Sequence, residues 1–195
     1  MSRLRIFFTG VGGQGTVTAT RLLAQAALDE GIPVVAGEVH GMAQRGGIVE
    51  STVLMGGYVN PRISPGEADI LLGFELLETL RALPYLVPDG LILSSSDQLP
   101  PVSVCCGRER SPTFDEMESM VRECSPNVHF LPCHRLGMEA GALQAGNLAL
   151  LGALCALGRL PFGLERMVQT TTESLAPKLV EANVKALHLG AAAVA

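Results

Sequence analysis

Four glycines in six positions, Gly10, Gly12, Gly13 and Gly15, interrupt a mostly apolar run from Leu4 to Leu28. No other feature constrains the fold as much. Before them, Ile6 to Phe8 is β-branched and aromatic, the composition of a buried strand. After them, Val17, Leu22, Leu23, Ala26 and Ala27 recur at helical spacing, which predicts an amphipathic helix. A strand that runs through a glycine turn into a helix leaves the first helical N–H groups unpaired and facing the turn. Those donors coincide with the positive end of the helix dipole, so the turn attracts anions. Glycine adds positive φ and close approach without a Cβ. Gly12, Gly13, Gln14, Gly15 and Thr16 are therefore candidate cofactor-binding positions.

The spacing Gly10-x-Gly12-x-x-Gly15 also satisfies the dinucleotide fingerprint. Glu38 follows a second strand, Ile32 to Ala36, at the distance of a ribose-binding carboxylate. An NAD(P)-binding module or redox sensor is thus one functional alternative, and a tight turn without ligand is another. Glu38 to Gly47, EVHGMAQRGG, is too polar and glycine-rich for a strand and too short for a stable helix. It is expected at the same sheet edge as the first turn, where open α/β sheets bind ligands. Glu38, His40, Gly41, Met42, Gln44, Arg45, Gly46 and Gly47 are accordingly candidates for the rim of a site, facing either a ligand or a partner chain.

The remaining chain continues the alternation. Ile48 to Met55 reads as a strand, and Gly56-Gly57 as a hairpin turn into a short return strand, Tyr58 to Asn60. Asp69 to Gly73 is a buried strand, and Glu75 to Leu86 a helix with Leu76, Leu77, Leu80 and Leu83 inward, stopped by Pro88-Asp89-Gly90. Further strands are expected at Leu91 to Leu93 and Asn127 to Leu131, with a helix from Ser111-Pro112 through Val121 between them. Glu75 and Glu78, three apart on one helix, read as solvated surface charges. The last third is helical. Gly146 to Leu157 is apolar almost all round, so it is buried on every side or packs on another chain, with Asn147 expected to cap it. Leu164 to Leu175 and Lys178 to Gly190 follow, broken at Pro177. The pattern predicts one α/β domain over residues 1–195. It is a three-layer, Rossmann-like fold with a mostly parallel sheet, a β-hairpin and a helical C-terminal third.

Composition narrows the partners. With 14 Lys and Arg against 19 Asp and Glu, the net charge is -5, and there is no Trp. Neither a basic surface nor a stacking platform for nucleic acid is encoded. No apolar run reaches ~18 residues, and no leader pattern opens the chain, so a cytoplasmic location is expected. Five cysteines at irregular spacing, with no C-x-x-C, read as free thiols in a reducing compartment. A catalytic set is missing: there is no Tyr-x-x-x-Lys, no P-loop lysine and no G-x-S-x-G elbow. His40, His129, His134 and His188 are scattered, and Cys133-His134 has nothing nearby to complete a metal tetrahedron. No catalytic or metal-ligating residue is assigned, and the chain reads as a binding surface without chemistry of its own.

Three stretches taken together, Gly12-Gly13-Gln14-Gly15, Glu38 to Gly47 and Glu67-Ala68-Asp69-Ile70-Leu71-Leu72-Gly73-Phe74-Glu75, resemble the gamma-type subunits of 2-oxoacid:ferredoxin oxidoreductases. Gly146-Asn147 to Pro161-Phe162 and Glu181-Ala182-Asn183 extend the likeness over nearly the whole chain. The His40 loop is most similar to the small subunit of the indolepyruvate branch. The resemblance implies a subunit that completes or supports a site, inactive when isolated, with Asn147 also at the rim. It further implies a larger catalytic partner carrying thiamine pyrophosphate, Mg and iron–sulfur clusters. That assembly would oxidatively decarboxylate a 2-oxoacid, an indolepyruvate or arylpyruvate, to an acyl-CoA and pass electrons to ferredoxin. A homodimer is a further expectation.

Overall fold

A computed structural model describes residues 3–40, 47–100, 102–108 and 110–195. Its centre is a six-stranded sheet in the order β2-β3-β1-β4-β5-β6. These strands are β1 (Leu4–Val11), β2 (Val34–His40), β3 (Ile48–Met55), β4 (Ala68–Gly73), β5 (Leu86–Ser95) and β6 (Val128–Leu131). β1, β4, β5 and β6 run parallel, while β3 is antiparallel to both β1 and β2. The helices are α1 (Thr16–Asp29), α2 (Leu76–Ala82), α3 (Val102–Cys105), α4 (Phe114–Cys124), α5 (Cys133–Ala140), α6 (Gly146–Ala156), α7 (Leu164–Ser174) and α8 (Pro177–Ala192).

Period-two alternation along β1 sorts the core into two layers. Ile6 and Phe8 enter a cluster with α1, α5, α6 and α8, whereas Phe7 enters a second cluster with Ala82 of α2 and Val121 of α4. The expected three-layer α/β domain is present. As the uniform hydrophobicity of its sequence predicts, α6 is buried on all sides, with Leu148, Leu150, Leu151 and Leu154 fully enclosed. Each contributes roughly 1.5–3 kcal/mol of transfer free energy. Glycine makes that burial geometrically feasible. A Cβ on Gly152 would stand 1.9 Å from the Leu187 carbonyl oxygen of α8, and one on Gly190 would stand 1.9 Å from the Ala149 oxygen of α6. The two helices meet backbone to backbone.

Several local expectations change. The hairpin is formed by β2 and β3, not by Gly56-Gly57 with a return strand at Tyr58 to Asn60, which is irregular. Both edges of β3 are occupied, one by β1 and one by β2, so no ladder position remains for residues 58–60. Gly56 and Gly57, at φ 96° and 88°, instead lead the chain out to Pro61, whose carbonyl accepts from the Thr52 hydroxyl at 2.7 Å. β2 begins at Val34 and runs through Glu38, Val39 and His40, which the polar composition had assigned to a loop. Pairing with Val49, Glu50 and Ser51 of β3 overrides that local preference. The helix expected to reach Leu86 ends at Ala82 with a 3₁₀ turn through Leu83–Tyr85. Pro88, Asp89 and Gly90 lie inside β5, where Asp89 has φ 61° and the pairing with β4 shifts register.

Glu75 and Glu78 are corrected outright: they are 3% and 5% exposed. Glu75 caps α2, its Oε2 accepting from the Glu78 N–H at 3.0 Å and its Oε1 from the Leu99 N–H at 3.1 Å. The carboxylate thereby satisfies one orphan donor of the helix and one of the chain after β5. Glu78 pairs with Arg81. Burial, more than any other influence, pushes its carboxyl above the usual range; Arg81 opposes that shift, and Glu75 and Glu50 reinforce it.

Candidate functional site at the C-terminal edge of the parallel strands

The glycine turn lies where β1 gives way to α1, beside the point at which the strand order reverses. On one side β1 leads through α1 toward β2 and β3; on the other it abuts β4. The end of β4 is clasped to β1 by the Phe74 N–H donating to the Thr9 carbonyl at 2.8 Å. A Cβ on Gly10 would meet the Phe74 Cβ at 2.9 Å, so glycine is required there by packing. Gly13 and Gly15 are required by conformation, at φ 102° and 80°.

The turn is braced by its own side chain. The Gln14 N–H donates to the Val11 carbonyl at 3.1 Å, and the Val11 N–H donates to Gln14 Oε1 at 2.8 Å. The Gly12 N–H donates to the Gly47 carbonyl at 2.8 Å. That bond ties the end of the second glycine-rich stretch to the first. Two residues the sequence placed at one edge do meet there. α1 begins after Gly15 with no side chain capping it, which leaves the first-turn donors as the sequence predicts. Thr16 is only 2% exposed, and its Oγ1 has no hydrogen-bond partner among the described residues.

Asn147 does not cap α6, whose N-cap is Ala145. Its side chain instead crosses to the turn, Nδ2 donating to the Gln14 carbonyl at 3.0 Å. It also stands 1.8 Å from where a Gly15 Cβ would be. This contact spans 133 positions of sequence and has no local signal. Asn147 separates two cavities of about 190 Å³ each, which share Gly13, Gln14 and Gln144. One is bordered by Phe74, Ser95, Asp97, Cys133 and His134, the other by Thr18, Lys178, Leu179 and Asn183. A carboxylate borders the first and a lysine the second.

Asp97 was missed from sequence and organises the first cavity. Its Oδ2 accepts from the Ser95 hydroxyl at 2.8 Å and from the His134 N–H at 2.7 Å, so a β5 loop residue caps α5 from a distance. The His134 ring stands 3.7 Å from Asp97 Oδ1. Ser95 donates to Asp97 and not to His134, so no nucleophile–base pair is assembled. Cys133 is buried beside them, and burial pushes its thiol up to about 12, as it does that of Cys155. Neither is a thiolate at neutral pH. Among the described residues no three His, Cys, Asp or Glu side chains converge. Among the described residues the cysteines are therefore not gathered as an iron–sulfur cluster requires.

The remaining rim residues divide. His40 closes β2. Gly41, Met42, Gln44, Arg45 and Gly46 lie outside the described residues. Glu38 is separated from the turn by β3, a displacement of two strand spacings or about 10 Å. It also lies 3.8 Å from Arg21 of α1. In the dinucleotide arrangement the acidic strand end adjoins the glycine turn, so the fingerprint here lacks its ribose partner.

Comparisons with known proteins agree with one another. The pyruvate ferredoxin/flavodoxin oxidoreductase family matches residues 5–193. The indolepyruvate oxidoreductase subunit IorB of Thermococcus kodakarensis is 40% identical over 97% of this chain and 95% of its own length. That of Archaeoglobus fulgidus is 36% identical over 96% and 94%. Among solved structures, the gamma subunit of a keto/oxoacid ferredoxin oxidoreductase from Geobacter sulfurreducens has the same fold. The TM-score is 0.72 at 23% identity, covering 100% of this chain and 97% of that one. The fold also recurs within 31% of a longer chain, a 2-oxoglutarate:ferredoxin oxidoreductase of Magnetococcus marinus, at TM-score 0.73 and 16% identity.

Proposed function

Since this chain belongs to the pyruvate ferredoxin/flavodoxin oxidoreductase family, we propose that it is the small, gamma-type subunit of a 2-oxoacid:ferredoxin oxidoreductase of the indolepyruvate or arylpyruvate kind. The observation that carries this reading is near full-length likeness to subunits bearing that name. It is joined to an edge rich in donors on which no nucleophile–base pair or metal set converges among the described residues. A chain with a formed ligand edge and no chemistry of its own is suited to complete a partner's site. The partner is a larger subunit holding thiamine pyrophosphate, Mg and iron–sulfur clusters, and the complex decarboxylates the 2-oxoacid to an acyl-CoA with electrons passing to ferredoxin. Among the described residues no helix is long and apolar enough to cross a membrane, in keeping with a cytoplasmic complex.

Within that complex the residues Gly12 to Thr16 support an anionic group of a ligand or a partner's backbone. Glu38 and the His40–Gly47 loop face the partner. The test is gentle affinity purification of the tagged chain from its native cells, with subunit masses and absorbance recorded. A brown preparation containing a larger chain, and arylpyruvate-dependent dye reduction that requires CoA, is the expected result. A colourless chain emerging alone would refute the reading.

A further inference from the structure

The contact between Asn147 and the glycine turn carries more than packing. The Gln14–Gly15 peptide lies between two glycines at positive φ, Gly13 at 102° and Gly15 at 80°. Glycine at position 15 tolerates either sign of φ, so this peptide has two accessible orientations. They differ in electrostatic sign. A trans peptide directs its C=O and N–H oppositely, so one orientation offers a donor to the space on the far side of α6 and the other a carbonyl oxygen. In the structure the Gln14 carbonyl accepts from Asn147 Nδ2 at 3.0 Å, and the Gly15 N–H is thereby turned away from α6. Among the described residues no acceptor for that N–H is found. The amide of Asn147 has only one workable assignment, because turning it over would set Oδ1 against the Gln14 oxygen. Its Oδ1 then lies buried with no partner among the described residues, an arrangement that costs the fold stability. Asn147 cannot drift to relieve it. Its helix is seated by Gly146, where a Cβ would fall 2.0 Å from the Cys133 oxygen, and by Gly152 against α8.

We propose that Asn147 is a positioning residue that locks the Gln14–Gly15 peptide with its N–H outward, and so sets the glycine turn as an anion-accepting rather than an anion-repelling loop. The anion part rests on the function proposed above; the peptide orientation does not. Two variants separate a hydrogen-bond lock from simple space filling. Asn147→Ala removes the donor and the volume. Asn147→Asp keeps the volume but places a carboxylate oxygen against the Gln14 carbonyl, so it is the more disruptive of the two for the turn. If Asn147 only fills space, the order reverses.

The experiment is NMR on the full-length chain, following the Gln14 carbonyl carbon and the Gly15 amide, then titrating inorganic phosphate, with melting temperatures as the folding control. Both variants are expected to remain folded and to shift the Gln14 carbonyl signal before any phosphate is added, Asn147→Asp by more. The phosphate affinity read at Gly15 is expected to fall at least about fivefold in Asn147→Ala and to vanish in Asn147→Asp. Unchanged Gln14 and Gly15 signals in both variants would overturn the lock, as would Asn147→Asp binding phosphate as tightly as a parent that binds it. A parent chain silent to phosphate whose variants still shift Gln14 would uphold the lock and refute the anion reading alone. Neither result bears on whether the chain copurifies with a larger subunit.

Discussion

Gly15 is the residue on which two independent constraints meet. Its φ of 80° disfavours any L side chain, and the Asn147 amide occupies the place of a Cβ at 1.8 Å. Gly15→Ala is therefore expected to lower stability by more than about 2 kcal/mol. Gly163→Ala, at φ -97° with nothing within 4 Å, is expected to stay within about 0.5 kcal/mol; urea unfolding of both compares them. Glu78 supplies a pH signature. Because burial raises its folded-state pKa, the native state holds the proton more tightly than the unfolded one. Its stabilising contribution is thus complete below the ordinary carboxylate value and is lost as pH climbs through the higher folded value. Glu78→Gln should flatten that loss relative to the parent and be slightly more stable at neutral pH. The gain stays below about 1 kcal/mol because the variant also gives up the Glu78–Arg81 pair. Melting curves from pH 4 to 8 test the difference; a parent whose stability rises relative to the variant across that range would contradict it.

At the scale of elements, α6 and α8 act as one unit. Gly152 and Gly190 each let a carbonyl of the other helix approach to a distance no Cβ tolerates. Gly152→Val is expected to cost at least about 3 kcal/mol, far more than removing an ordinary cap such as Thr113, whose box with Glu116 at the start of α4 is worth about 1 kcal/mol. Thermal unfolding of Gly152→Val and Thr113→Ala provides the comparison, and equal effects would mean that α6 and α8 can separate freely. The same unit carries Asn147 to the turn, so Gly152→Val should also disturb the Gln14 and Gly15 signals from a distance. The β2–β3 hairpin shows the opposite economy. Glu38, Val39 and His40, from a stretch read as too polar for a strand, extend β2 because β3 has an edge to offer, and Gly47, just before β3, meets Gly12.

For the whole molecule, the proposed role makes folding and function separable. Gly13 has open space around it and a φ of 102°. Gly13→Val should therefore cost the isolated chain about 1–2 kcal/mol, while the complex loses assembly or turnover. Sedimentation of the variant with its partner, followed by 2-oxoacid-dependent dye reduction, is the check; full activity in a normally assembled complex would remove the turn from the site.

The alternation of strands and helices was legible in the chain, apart from the return strand expected at Tyr58 to Asn60 and the unread α5, because it depends on local physics. Glycines Gly10 to Gly15 mark the turn, the unbroken apolar surface of Gly146 to Leu157 marks a helix enclosed on all sides, and the two together place a ligand edge in a three-layer α/β domain. Family resemblance was legible for the same reason, since it resides in short contiguous stretches. Tertiary structure alone decided the rest. Glu75 and Glu78 looked solvated because a charge on a helix is cheapest in water, yet the chain after β5 supplies a donor that pays for the burial of one of them. Asp97 caps a helix that starts 36 residues later, and Asn147 meets a carbonyl 133 residues earlier. Polar side chains are chosen by the partner they find across space, and no periodicity records that partner in the sequence.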